Sequence, residues 1–289
     1  MMLFKKETSW SLNFHALFVF FTLLLNVAAQ VPVLGIELDQ GANDDAKRII
    51  FSAKLTFKED TVKLFSHAQI YGIARLAFEE MFREFPKTGL NTWLRPKSMA
   101  AMAIGNSVYI SSPVKGGPYF YTYADTSLKP EVVLALERCS TSLQMRNKSP
   151  VAGQHKAQGN CAEIAALHTF YLDPEVSDAD RQKRPRTRLG VFGLQNEGRA
   201  LSDEIAPRKH GQITWGCNLF VTSQKIETLR WWDLKDELME LPEPFPEFTV
   251  NHISFVCPGR FADSQPTGRV PITVTATAPS APTGGAKRF

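Results

Sequence analysis

The sequence predicts an α/β fold, a mixed sheet with flanking helices, and two observations carry this prediction. Apolar residues recur at a helical period across 60–86, with Asp60 or Thr61 as the N-cap. Two β-prone runs then flank Gly105–Asn106, a dipeptide typical of a two-residue hairpin turn. Further helices and a strand follow along the chain. This order indicates α/β or α+β architecture.

The elements downstream of the hairpin are predicted from the same signals. A short amphipathic helix is expected to end at Cys139, and another to start at Cys161. The next strand is expected to be broken at Gly190 and Gly193. The segment 30–60 has few periodic cues and is expected only to lead into the domain.

The N-terminus predicts the cellular compartment. Two lysines precede an apolar run that ends in small residues, with Val27 at −3 and Ala29 at −1 of a cleavage site before Gln30. We therefore predict a signal peptide over 1–29 and a secreted, extracellular protein without stable membrane association.

The rest of the chain has the composition of a folded globule, with 44% hydrophobic and 21% charged residues. Its net charge of +4 is too small to indicate a partner by itself. We predict one globular domain over 30–257. The stretch 258–289 is rich in Pro, Thr, Ser and Gly and is predicted to be a disordered tail.

Four cysteines, an even number, suit an oxidising compartment and favour disulfides by default. They are Cys139, Cys161, Cys217 and Cys257. Neither their number nor their spacing matches a standard zinc finger.

One motif carries potential chemistry. In "QGNCAEIAAL", Cys161 stands at the predicted start of a helix and Glu163 follows two residues later. A helix N-terminus stabilises a thiolate. Three interpretations are open: a zinc site with a general acid/base, a thiol nucleophile, or one half of a disulfide.

This motif, the hairpin before it and Cys217 after it resemble the cytidine deaminase-like superfamily, which includes toxin-type and secreted microbial deaminases. The resemblance covers roughly 98–238. It implies a three-layer α-β-α fold and zinc-dependent hydrolytic deamination of a nucleobase-type substrate. Cys161 and Cys217 would then be zinc ligands, and Glu163 the proton carrier that does not bind the metal.

The second half of the superfamily pattern is altered. Phe220 stands where a Cys-x-x-Cys pair would place its second thiolate, and Gly216 replaces a proline. A third ligand is therefore expected elsewhere, either His210, seven residues before Cys217, or Cys257. A divergent relative that has lost its activity is also compatible with this pattern.

Two alternatives from other classes stay open. "QGNCAE" is also similar to papain-like and transglutaminase-like enzymes, which predicts a Cys-dependent hydrolase or acyltransferase with His210 as its base. The other alternative is a non-catalytic secreted interaction protein stapled by disulfides. His155 and His168 are interpreted as ordinary surface or core histidines.

The run 181–188 contains five cations in eight residues. A solvated loop is the simplest interpretation. If the loop lies near the mouth of a deaminase site, it could attract phosphates, and a nucleotide or nucleic acid would be the partner. The cations are Arg181, Lys183, Arg184, Arg186 and Arg188.

Overall fold

The predicted hairpin is present, and its turn at Gly105–Asn106 joins two antiparallel strands at the centre of the main sheet. The computed structural model describes residues 31–46, 48–116, 131–147, 154–155, 157, 159–194, 206–207, 213–229 and 235–254. The predicted signal peptide, the whole of the predicted tail, His210 and Cys257 lie outside these ranges. The described residues from Val33 onward belong to one compact unit.

The helices and strands of the described ranges are numbered in chain order. The strands are β1 (Glu37–Leu38), β2 (Phe51–Phe57), β3 (Ser98–Ile104), β4 (Ser107–Ser111), β5 (Gln154–His155), β6 (Thr187–Gly193), β7 (Ala206–Pro207), β8 (Ile213–Trp215) and β9 (Phe248–Asn251). The helices are α1 (Gln40–Ala46), α2 (Thr61–Leu64), α3 (His67–Glu84), α4 (Glu131–Asn147), α5 (Ala162–Leu172), α6 (Asp178–Gln182) and α7 (Cys217–Ser223).

The main sheet has six strands in the order β1-β2-β4-β3-β6, and β9 also pairs with β2. Each of its strand pairs in the described ranges is antiparallel, whereas a mixed sheet was expected. Parallel pairing within the described ranges occurs between β5 and β8 of a small second sheet, and at one isolated bridge between Arg188 and Glu227. After α5 and α6 the chain returns as β6, which runs alongside β3 in the opposite direction.

Helices cover both faces of this sheet. Successive residues of β3 point to opposite faces, so that each face of this strand can pack against different helices. One set of β3 residues packs with α3 in the first hydrophobic cluster, and the other packs with α4, α5 and α7 in the second. The α/β prediction with flanking helices is therefore confirmed. The first set is Met99, Ala101 and Ala103, and the second is Ala100, Met102 and Ile104.

The predicted first helix is divided into two. Asp60 caps α2 as expected, and its side chain accepts a hydrogen bond from the Val62 backbone nitrogen at 3.0 Å. Ser66 then starts α3 through a reciprocal capping box with Gln69. The chain prefers a new helix start here because this box satisfies two backbone donors that a helix end leaves free.

Two other element predictions were wrong in detail. Helix α4 continues to Asn147, so that Cys139 lies in its interior rather than at its end. Strand β6 runs through Gly190 without a break. A Cβ atom at Gly190 would lie 2.6 Å from the Tyr71 backbone nitrogen. The glycine therefore allows α3 to pack closely against the strand, and does not end it.

The segment 30–60 contributes a central strand, β2, that the sequence analysis missed. Its sequence, FSAKLTF, alternates apolar and polar residues as a strand does, and six of its seven residues are buried. The chain before β1 is also fixed in place. The buried Glu80 carboxylate on α3 accepts hydrogen bonds from the backbone nitrogens of Leu34 and Ile36, both at 2.8 Å.

Candidate metal centre

Three chain segments meet at the end of the second hydrophobic cluster where α5 and α7 begin. Cys161 is the N-cap residue of α5, with an extended backbone (φ −75°, ψ 153°). Cys217 is the first residue of α7 and follows the N-cap Gly216. His155 ends β5. Each side chain thus comes from the end of a regular element, which fixes its position.

Strand pairing brings His155 to Cys217. His155 is paired with Trp215 in the parallel β5–β8 ladder, and Trp215 stands two residues before Cys217. The chain then turns from β5 into α5 within a few residues. Gly159 makes this turn with a φ of +82°, a conformation that glycine adopts at no steric cost.

The donor atoms of His155, Cys161 and Cys217 all lie within 4.8 Å of one another. The two Sγ atoms are 2.7 Å apart, and His155 Nε2 is 3.4 Å from Cys217 Sγ. His155 and Cys217 are buried, and Cys161 is half-buried. This group could hold a metal ion, because one imidazole and two thiolates form a compact set of nitrogen and sulfur donors.

The orientation of the His155 ring is set by the backbone. Its Nδ1 accepts hydrogen bonds from the backbone nitrogens of Ala157 and Gly159, each at 3.2 Å. A neutral ring in this arrangement carries its proton on Nε2, the nitrogen that faces the sulfurs. Burial lowers the pKa of His155 to about 4, so the ring is neutral at pH 7. A metal that binds Nε2 must displace this proton.

The two thiols share their environment. A hydrogen bond from Cys217 lowers the pKa of Cys161, but burial and the nearby Glu163 outweigh it, and this pKa is raised. The hydrogen bond to Cys161 and burial together raise the pKa of Cys217 well above its usual value. In the absence of a cation both thiols are therefore protonated at neutral pH, and metal binding would release their protons.

Glu163 lies in the first turn of α5 with only 3% of its surface exposed. Burial raises its pKa, and its carboxylate lies within interaction range of the Cys217 thiol. Its Oε1 is a buried acceptor with no hydrogen-bond partner in the described part of the chain. Such an atom is costly unless a ligand or solvent group binds it.

The structure thus brings together three of the four predicted site residues, Cys161, Cys217 and Glu163. The fourth, His210, lies outside the described residues, as does the alternative ligand Cys257. In the described ranges the nitrogen donor is His155, which the sequence analysis interpreted as an ordinary histidine. It stands six residues before Cys161, and no local sequence signal marks it, because its approach to Cys217 depends on the pairing of β5 with β8.

The structure also shows the state of the cysteines and the position of His168. Cys139, Cys161 and Cys217 are free thiols, and Cys139 is buried inside α4. His168 is fully buried in α5, as the core interpretation expected. None of the described helices is long and apolar enough to span a membrane.

The basic run mostly binds protein groups. Arg181 donates to the Asp173 carbonyl at 2.6 Å, and Arg184 donates to the Gln224 carbonyl. Arg186 pairs with Glu227, and Arg188 donates to two carbonyls of the α2–α3 connection. Asp173 and Gln224 are the C-cap residues of α5 and α7, whose first turns lie at the metal-binding group. The basic run therefore lies at the opposite ends of these helices.

No protein-family model matches this chain. A curated protein or a solved structure that matches it was not found either. Inferences about function therefore rest on the geometry of the residues themselves.

Proposed function

We propose that this protein is a secreted, zinc-dependent hydrolase that deaminates a nucleobase-type substrate. One observation carries the proposal. A buried carboxylate, Glu163, stands two residues after Cys161 and beside Cys217, and one of its oxygens has no protein partner in the described ranges. In zinc deaminases, a glutamate that does not bind the metal carries the protons of the reaction.

The donor set suits zinc. Zinc prefers nitrogen and sulfur ligands in four-coordinate geometry, and catalytic sites keep the fourth position open. His155, Cys161 and Cys217 supply three ligands and leave that position. When bound, zinc supplies the Lewis acidity that lowers the pKa of water to near neutrality. The N-terminus of α5 favours the negative charge that Cys161 carries as a ligand.

Glu163 is assigned the proton transfer. Its raised pKa allows it to hold a proton between two steps near neutral pH. It carries two protons, one from the attacking water to the ring nitrogen beside the reacting carbon and one from the resulting hydroxyl to the departing amino group. The carbon–nitrogen bond breaks, a carbonyl forms, and ammonia leaves. The overall reaction consumes one water and needs no other reactant.

The arrangement of elements supports the resemblance to the cytidine deaminase-like fold. A hairpin, β3–β4, precedes the helix that carries Cys-Ala-Glu, and β6 then pairs antiparallel with β3. The next cysteine starts α7, and the chain after α7 returns to β6 through the parallel bridge at Glu227. Phe220 is fully buried in the second cluster, so it cannot replace the missing thiolate. His155 takes over that role in the proposal.

The test combines metal content with ammonia release from cytosine, cytidine, adenine and adenosine. We expect about one zinc per purified chain and release of ammonia from at least one of these compounds. Glu163→Gln should keep the metal and lose the activity, and Glu79→Gln, an exposed carboxylate on α3, should keep both. A metal-free protein, or an active Glu163→Gln variant, would contradict the proposal. A zinc-loaded wild-type protein that releases no ammonia would indicate an inactive relative.

One observation favours a second candidate, the non-catalytic disulfide-stapled protein. Two thiolates bound tetrahedrally at 2.3 Å from zinc stand about 3.8 Å apart, and disulfide sulfurs about 2.05 Å apart. The observed distance between Cys161 Sγ and Cys217 Sγ is 2.7 Å, which lies between these values and nearer to that of a disulfide. Peptide mapping without reduction separates the candidates, because a Cys161–Cys217 bridge in fresh protein excludes metal binding by the same sulfurs.

The Cys-dependent hydrolase has less support. A histidine that acts as base needs a free lone pair on the nitrogen facing the thiol, usually with a proton held on the other nitrogen. His155 has the reverse arrangement, because its Nδ1 accepts two backbone hydrogen bonds. The same proton on Nε2 has to leave before this nitrogen can bind a metal, so this arrangement does not separate the two candidates. The raised pKa values of both thiols also disfavour a reactive thiolate.

A further inference from the structure

A cleft of about 700 Å³ lies at the C-terminal ends of α5 and α7. Its walls come from α4, the end of α5, α6, the basic loop after α6, and the turn after α7. Tyr171 near the end of α5 is nine residues from the start of that helix, which corresponds to roughly 14 Å along its axis. The cleft is therefore separate from the metal-binding group at the other end of the same helices.

The charges that line this cleft are strongly unbalanced. Six basic side chains face two carboxylates, so the excess is four positive charges. A concave surface lined by one sign of charge focuses the electric field and attracts counter-ions. The basic residues are Arg138, Arg181, Lys183, Arg184, Arg186 and Lys225, and the acidic ones are Glu131 and Asp178.

The basic side chains form two groups with different surroundings. Arg181, Arg184 and Arg186 are held by Asp178, by helix-end carbonyls and by Glu227. The other three, Arg138, Lys183 and Lys225, are exposed and make no ion pair in the described ranges. The first group builds the wall. The second group is available to a ligand.

We propose that this cleft binds a multiply charged phosphorylated small molecule of nucleotide size. A volume of about 700 Å³ is within the range of small-molecule sites. Three cations without an ion pair in the described ranges surround one concavity. They suit a polyphosphate, since each can bind a non-bridging oxygen through a charge-assisted hydrogen bond. Tyr171 at the wall offers an aromatic ring to a base. The inference does not depend on the proposed deamination, because none of these residues belongs to the metal-binding group.

The test is calorimetric titration of the full chain with inorganic tripolyphosphate and with ATP, in about 0.15 M salt. Wild-type protein should bind at least one of the two. The triple variant Arg138→Gln, Lys183→Gln, Lys225→Gln should bind about tenfold more weakly or worse. The matched control Lys63→Gln, Arg83→Gln, Lys97→Gln removes three exposed cations elsewhere and should bind as wild type does. Equal binding by both triple variants would overturn the proposal.

Two further binding experiments show where the ligand binds and whether it is a small molecule or a nucleic acid. Cys161→Ser should bind the anion as wild type does, because the metal-binding group is not involved, and Glu163→Gln replaces it if that variant does not fold. Loss of anion binding in these variants would place the ligand at the metal centre and refute the cleft. Labelled single-stranded oligonucleotides should bind no better as their length grows. Affinity that rises with length would identify a nucleic-acid surface instead, and the small-molecule site would be rejected.

Discussion

Lys54 and Asp173 form a buried salt bridge, in which Lys54 Nζ lies 2.6 Å from Asp173 Oδ2 and the side chains are 3% and 1% exposed. Tyr109 also donates its hydroxyl to Asp173 Oδ2 at 2.7 Å. Lys54 is on β2 and Asp173 is the C-cap of α5. The pair therefore fixes the far end of the helix that presents Cys161 and Glu163.

The first prediction concerns this bridge. Lys54→Met should lower the free energy of unfolding by roughly 3–5 kcal/mol, because Asp173 would remain buried without its cation. Lys58→Met is the matched control. Lys58 pairs with Glu247, but both side chains are more than two-thirds exposed, so the free energy of unfolding should change much less than in Lys54→Met. Urea unfolding measures both. Equal losses would show that the buried pair has no special role.

The second prediction identifies the third metal ligand. Partners that only orient a ligand are worth about 10- to 100-fold in metal affinity, and a ligand is worth more. His155→Ala should therefore weaken zinc binding by more than about 100-fold, and His210→Ala should leave it unchanged. Competition with a chromogenic chelator gives both affinities. If His210→Ala is the variant that loses zinc, the ligand predicted from the sequence is correct and His155 is only a neighbour.

The third prediction concerns cysteine reactivity. A zinc-bound thiolate has its lone pair occupied, so Cys161 and Cys217 should react slowly with iodoacetamide until a chelator removes the metal. Cys139 is buried in α4 and serves as an internal control that should react slowly throughout. Mass spectrometry gives the labelling rate of each cysteine. Fast labelling of Cys161 without chelator would favour the Cys-dependent enzyme.

The fourth prediction is a pH dependence of stability. Burial lowers the pKa of His168 to about 3, whereas an unfolded histidine titrates near pH 6.5. The unfolded chain thus binds the proton more readily. The contribution of His168 is complete above about pH 6.5 and is lost as the pH falls towards 3, by up to roughly 5 kcal/mol. His168→Gln should flatten the urea-unfolding profile between pH 6.5 and 4. An unchanged slope would show that other groups dominate acid unfolding.

The sequence predicted those parts of the fold that have strong local signals. The Gly105–Asn106 turn and the Asp60 cap are specified by a few adjacent residues, and both are present. Strand β2 was missed although its sequence, FSAKLTF, alternates apolar and polar residues; what this local pattern does not reveal is the packing that also buries its polar face, Lys54 included. The break at Gly190 was wrong because this glycine serves a contact with α3, which no local pattern reveals.

The candidate site was predictable to a similar extent. Cys161 caps a helix and Glu163 lies in its first turn, so local sequence signals alone place both residues at the same helix end. Cys217 could be proposed because it matches part of the second motif of the superfamily that the sequence resembles, and the structure places it at the start of a second helix. His155 could not, since its approach depends on the pairing of β5 with β8, two very short strands distant in sequence. A histidine within a loop carries no periodic signal of that pairing.

The 2.7 Å approach of Cys161 to Cys217 joins two residues that are 56 positions apart. An ion held by both sulfurs would close a loop of that length and restrict the unfolded chain as a covalent cross-link does, an effect of roughly 4 kcal/mol. The thiols would then be under selection for foldability as well as for chemistry, and Glu163 for chemistry alone. A descendant of this chain without the proposed activity should therefore lose the carboxylate first and keep the cysteines.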